Sequence, residues 1–234
     1  QEKELGQAIH GKTLKIQEDL RQTLLHMLKL FPDSSWAEAH FGNWAWSQEK
    51  YATAEKHLRR ALILKSNYPW ASFRLGVVYL SQKKWESALL SFEEGLKNDA
   101  ENEWAIQQVA HALEMLGKNE QAIERYEWLM KNSPTNLLVI NHLNRLYWNE
   151  FLFEKGENTL LRGLEKFPTA TGLIEKLVNY YESHGLFEKA AKILSSFLQL
   201  EPNNSAALAK IGFYEKKLNR PVKAIAFFNK ALTG

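Results

Sequence analysis

Residues 67–76 read NYPWASFRLG, with a proline and then a tryptophan where a helix would begin. The same placement recurs in SSWAEAHFG (34–42) and ENEWAIQQVA (101–110), and the steps from Trp36 to Trp70 to Trp104 are 34 residues each. A fixed period decides the fold, because every repeat then becomes one supersecondary unit that must stack on its neighbours. Numbered 1 to 34 from Ser35, Pro69, Glu103, Leu137, Thr171 and Ser205, the chain aligns on itself six times without an insertion. Position 20 holds Ala54, Ala88, Ala122, Gly156, Ala190 and Ala224, all small. Position 24 holds Leu58, Phe92, Tyr126, Leu160, Leu194 and Phe228, and position 28 holds Leu62, Leu96, Met130, Leu164, Leu198 and Leu232, all bulky. Position 7 is apolar from Phe41 through Leu75, Val109, Leu143 and Leu177 to Ile211, and Pro134, Pro168 and Pro202 stand at position 32.

Within each repeat two segments with helical periodicity flank a polar break, as in SQEK (47–50), SQKK (81–84) and SHGL (183–186). The pattern predicts a helix, a turn and a second helix. Small residues at position 20 let the two backbones approach, and large ones at 7, 24 and 28 fill the space between. Proline at position 32 ends the second helix. With 45% hydrophobic and 12% aromatic residues, 234 residues suffice for a sizeable core.

On these residues the chain resembles the tetratricopeptide repeat (TPR) family, whose 34-residue signature has Leu-Gly at 7 and 8, Tyr at 11, Ala at 20, an aromatic at 24, Ala at 27 and Pro at 32. Leu75, Gly76, Tyr79, Ala88, Phe92 and Pro134 sit on that signature. The resemblance covers residues 35–234 and implies an all-α, right-handed superhelical α-solenoid. Its expected repeats are 35–68, 69–102, 103–136, 137–170, 171–204 and 205–234. Residues 1–34 keep the phase at Leu24, Leu28 and Pro32 and are expected to form a degenerate repeat or cap. The family's aromatic at position 4 is replaced by Glu38, Ser72, Ile106, Ile140, Ile174 and Leu208.

At roughly 100° per residue, positions 2, 5, 6, 9, 12 and 13 of the first helix share one face, opposite the apolar positions 4, 7, 8 and 11. In this family that first face lines the inner wall where partners bind. Here it carries Trp36, Trp46, Trp70, Phe73, Trp104 and Trp148 among His40, Asn43, Arg74, Gln107, Gln108, His111, Asn141, His142, Arg145, Lys176 and Asn179. A tryptophan at a helix start also has a purely structural use, covering the end of the preceding helix. An array of exposed indoles, however, needs a partner or costs solubility, and tryptophan is enriched at binding hot spots. The expected ligand is therefore an extended peptide or a partner protein, with Trp36, Trp70 and Trp104 forming one continuous surface.

Net charge of +3 argues for neither nucleic acid nor an anionic membrane, and no apolar run is long enough to span one. The charge is uneven: residues 205–234 carry +5 and the rest −2. Lys210, Lys216, Lys217, Arg220 and Lys223 would suit an acidic segment or form a solvated basic face. There is no cysteine, no phosphate-binding glycine loop, no histidine at metal-ligand spacing and no Ser-His-acid motif, so neither a cofactor nor catalysis is expected. The family's carboxylate clamp for heat-shock chaperones would need cations and asparagines where this chain offers Ala39, Asn43, Arg74, Trp104 and Gln108, and only Asn43 matches.

Two other readings stand beside the scaffold. Aromatic planes among amides also suit sugars, and similar repeats occur in bacterial polysaccharide synthesis and export. The repeats also resemble the substrate-recruiting arm of O-GlcNAc transferase, although position 6 is never asparagine here. The chain begins at Gln1 and ends at Gly234 without the polar capping helix that solenoids carry. Further chain beyond Gly234, or self-association through that end, is the expectation. The sequence does not fix the compartment; a soluble protein is expected, with the cytoplasm favoured over the periplasm.

Overall fold

The computed structural model describes residues 2–134 and 136–233, with side chains from Lys15 onward; the calls on Gln1 and Gly234 lie outside the described residues. Among the described residues it is all α: thirteen helices in paired helix-turn-helix packing. Two compact units divide the chain, residues 1–129 and 130–234. The first contains α1 (Glu2–Leu30), α2 (Ser35–Ser47), α3 (Tyr51–Leu64), α4 (Pro69–Ser81), α5 (Trp85–Leu96) and α6 (Glu103–Met115), and α7 (Asn119–Asn132) runs across its boundary. The second contains α8 (Leu137–Asn149), α9 (Phe153–Lys166), α10 (Thr171–Ser183), α11 (Phe187–Leu198), α12 (Ser205–Lys217) and α13 (Pro221–Thr233). Each helix from α1 to α5, and each from α8 to α12, packs on the next in sequence.

Helix starts are set by side chains that satisfy the free N–H groups of the first turn. Ser34 Oγ accepts from Ala37 N at 3.2 Å. Asn102 Oδ1 and Asn204 Oδ1 accept from Ala105 N and Ala207 N at 2.9 and 3.0 Å. Pro69 opens α4, where its missing N–H costs nothing. The turn after each first helix is the same six times. Residue 15 is left-handed, as Glu49, Lys83, Gly117, Phe151, Gly185 and Asn219. The next N–H reaches back to the carbonyl five residues earlier, as in Lys50 to Ala45, Lys84 to Tyr79, Leu152 to Tyr147 and Arg220 to Glu215, at 2.7–2.9 Å. These are Schellman closures. Left-handed backbone costs a residue with a Cβ about 1–2 kcal/mol, which makes glycine or asparagine the expected occupant.

The core is broader than the apolar arc drawn from the sequence. Position 3 is buried in all six repeats (Ala37, Ala71, Ala105, Val139, Leu173, Ala207), and so is position 11. Position 28 is less buried than expected. Leu62, Leu96, Leu164 and Leu198 are only half-buried and Leu232 is 85% exposed, while position 27 turns inward as Ala61, Gly95, Leu129, Gly163 and Phe197. Glu38, which replaces the family aromatic at position 4, accepts from His57 Nδ1 at 2.6 Å. On α13, Val222 and Ile225 are exposed as well as Leu232.

Gly95 fixes one local arrangement. A Cβ there would lie 2.2 Å from Phe73 Cε1 and 2.5 Å from Cδ1. The Phe73 ring occupies that space, buried beside Phe92 and Trp104. Replacing Gly95 by alanine is expected to destabilise the protein by about 1–3 kcal/mol through overpacking, although alanine favours a helix by about 1 kcal/mol. Chemical denaturation measures this, and adding Phe73→Leu should restore most of the loss.

Candidate functional site

The residues chosen from the sequence fall into two groups, one in each compact unit. In the first unit, Ser34 and Pro69 fix where α2 and α4 begin, and one turn later place His40 between two indoles. Its ring centroid is 4.1 Å from that of Trp36 and 4.6 Å from that of Trp70, with the second pair stacked at 26°. Tyr68 stacks on the column at 6.1 Å from Trp70, and the Arg74 guanidinium lies 5.3 Å above the Trp70 ring. Trp36 is 49% exposed, so the column opens to solvent at that end. Desolvation in this stack, with the Arg74 charge second, lowers the His40 imidazole below its ordinary value.

Trp104 is also half-exposed, but it is seated differently. It meets Phe92 and Phe73 edge-on at centroid distances of 5.8 and 6.2 Å and covers the end of the α4–α5 pair. Phe73 requires a correction: expected on the accessible face, it is only 6% exposed, because Gly95 leaves a slot for its ring. Trp46 Nε1 donates to Ser81 Oγ at 2.9 Å, tying α2 to α4. Asn43 is half-buried with its Oδ1 enclosed and without a partner. Gln107, Gln108 and His111 are half-buried on α6, and Trp85 meets His111 edge-on at 6.1 Å.

In the second unit six of the chosen residues converge. Asn141, His142, Arg145, Trp148, Lys176 and Asn179 line one cavity of about 670 Å³ between α8 and α10, together with Asn144, Asn149, Tyr180 and Ser183. None of these lining residues is acidic. Arg145 Nη2 donates to His142 Nδ1 at 3.2 Å, and Lys176 Nζ donates to Asn141 Oδ1. Desolvation first, and the Arg145 charge second, lower the Lys176 ammonium below the usual lysine range. An anion in the cavity would oppose both effects.

The floor of this cavity is set by small residues on α9. Asn144 stands where three other repeats have glycine (Gly42, Gly76, Gly212) and donates its Nδ2 to Gly156 O at 3.1 Å. A Cβ on Gly156 would lie 2.8 Å from Trp148 Nε1, so the glycine lets the indole settle against α9. That Nε1 is enclosed without an acceptor. Tyr180 meets Trp148 edge-on at 4.5 Å.

Sequence reasoning missed Tyr180, Asn144, Asn149 and Ser183. Tyr180 stands at position 10, just outside the arc assigned to the wall. Asn149 and Ser183 stand at position 13, inside that arc, and were not singled out, whereas Asn144 stands at the core position 8 and reaches the cavity floor because Gly156 opposite it is small. Among the described residues no His, Asp or Glu cluster could hold a metal ion, and no helix is long and apolar enough to cross a membrane.

Paired helices repeating every 34 residues define the class as a helical repeat protein. Residues 45–110 match the tetratricopeptide repeat family model. The mouse tetratricopeptide repeat protein 21A is 27% identical over 164 residues, 68% of this chain and 12% of that protein. Among solved structures, the TPR protein YrrB superposes with a TM-score of 0.63 at 18% identity, covering 79% of this chain and 95% of its own; its structure is described as having an unusual peptide-binding site. The C-terminal part of a TPR repeat-containing protein from Cytophaga hutchinsonii gives 0.61 at 16% identity, covering 83% and 78%. The chain is therefore similar to tetratricopeptide repeat proteins, by family model over residues 45–110 and by fold over most of its length.

The His40 sandwich has a consequence for stability. With its folded pKa below the unfolded value, the unfolded chain binds the extra proton. The stabilisation is therefore complete above the ordinary imidazole value, about pH 6.5, and is lost as pH falls toward the folded value. Thermal unfolding between pH 7.5 and 5 should show a smaller loss for His40→Gln than for the unaltered chain; equal losses would place the titration elsewhere.

Proposed function

We propose that this chain is a non-catalytic interaction scaffold that holds extended segments of partner proteins on the first-helix faces of its repeats. The observation that carries this is the open column of Trp36, His40 and Trp70. Three rings are kept at stacking distance, with nearly half of Trp36 in water, where burying the indole would have been the stabilising choice. Flat, rigid side chains of this kind give contact area at little entropic cost, as hot-spot residues do. Arg74 above Trp70 adds a donor that fixes a peptide carbonyl or carboxylate beside the rings. The cavity of the second unit offers a separate place for the same kind of ligand. Tetratricopeptide repeats as a class serve protein–protein interaction, which agrees with this assignment.

A peptide library screened against the whole chain, with oligosaccharides as the comparison ligands, tests it. Binding is expected from peptides, with Trp36→Ala and Trp70→Ala together reducing affinity by about tenfold or more at unchanged helicity. Unaltered affinity in that variant for peptides whose binding does not depend on Lys176, or quenching of tryptophan fluorescence by oligosaccharides alone, would contradict the proposal.

A further inference from the structure

Phe151 stands at the left-handed turn position that the other five repeats give to Glu49, Lys83, Gly117, Gly185 and Asn219. Its φ is 58° and its side chain is 78% exposed, with Leu152 at 41% and Phe153 at 36% beside it. Two costs coincide here: a Cβ in left-handed backbone, and a phenyl ring in water. Its ring meets that of Phe153 edge-on at 6.0 Å, which does not remove it from solvent. Glycine or asparagine would serve the turn better, so the fold itself gives no reason for phenylalanine.

The turn is continuous with the cavity of the second unit. Phe153 meets Trp148 at 5.5 Å and stacks with Tyr180 at 6.3 Å, and both partners line that cavity. His184 extends the same cluster at 4.5 Å from Tyr180. An aromatic path therefore runs from the exposed turn to a cavity whose lining carries Lys176 and Arg145 and no carboxylate. Arg145 on α8 precedes Phe151 by six residues, roughly 9 Å at helical rise, or about three residues of extended chain.

We infer that the cavity between α8 and α10 and the turn at Phe151 form one composite docking site for an acidic extended segment of a partner protein. Its carboxylates face Lys176 and Arg145, and an apolar side chain about three residues away lies on Phe151 and Phe153. This rests on the scaffold assignment above and adds the chemistry of the ligand to it. Charge complementarity selects the acidic partner, and the turn sets the spacing between acid and apolar anchor.

An array of capped peptides, each with a glutamate pair and a phenylalanine at every separation from adjacent to about six residues, probed with the whole chain, is the test. Binding should be strongest near a separation of three, and replacing the glutamates by lysines should abolish it. Phe151→Asn should lower affinity for the best peptide about tenfold, to the level of the same peptide with serine for phenylalanine, without lowering the melting temperature. Lys176→Gln should remove the advantage of glutamate over glutamine in the peptide. Unchanged binding by Phe151→Asn, or equal binding of lysine peptides, would overturn the composite site. If peptides bind but only Trp36→Ala with Trp70→Ala weakens them, the scaffold stands and this site falls; if no peptide binds the unaltered chain, both fall.

Discussion

Six times along this chain the N–H at position 16 closes onto the carbonyl at position 11, while the residue between the helices sits in left-handed backbone. That closure ends each first helix at the same point and sends the second helix back along it. With caps such as Ser34, Asn102 and Asn204 at the other end, the rotation of every first helix is fixed to within a residue. Positions 3 and 11 then face inward in all six repeats, and positions 2, 6 and 9 are left toward water or toward a ligand. A slip of one residue would turn each helix by about 100° and bury the indoles in place of the alanines at position 3.

Close packing is achieved by pairing large with small residues across helices. Gly42, Gly76 and Gly212 leave no room for a Cβ beside Leu58, Phe92 and Phe228. Where one repeat changes the large partner, the small one changes with it. Phe73 fills the slot above Gly95, and Trp148 with Asn144 settles on Gly156. These exchanges shape the candidate sites. Phe73 backs Trp104 in the first unit, and Gly156 lets Trp148 set the floor of the cavity in the second.

Much of the architecture was legible in the sequence because the period is strict and each position has one job. The small residue at 20, the bulky residues at 7 and 24 and the polar break announce paired helices. The face holding Trp36, His40, Trp70 and Arg74 followed from helical geometry alone. Phe73 did not, because its burial depends on a missing Cβ on a different helix, which angular position cannot reveal. Tyr180 lay just outside the drawn arc, and Phe151 was hidden in a break read only as polar. In both cases the information lies in contacts between elements, or in a backbone dihedral, and not in the period.

In this register Trp36 and Trp104 stand half in solvent while Trp44 is enclosed. Hydroxyl-radical footprinting of the eight tryptophans, read by mass spectrometry residue by residue, tests that most directly. Trp36 and Trp104 should be oxidised fastest, and Trp44, only 6% exposed, should be protected until the chain unfolds. Protection of Trp36 in the free protein, or oxidation of Trp44 at an equal rate, would contradict the account.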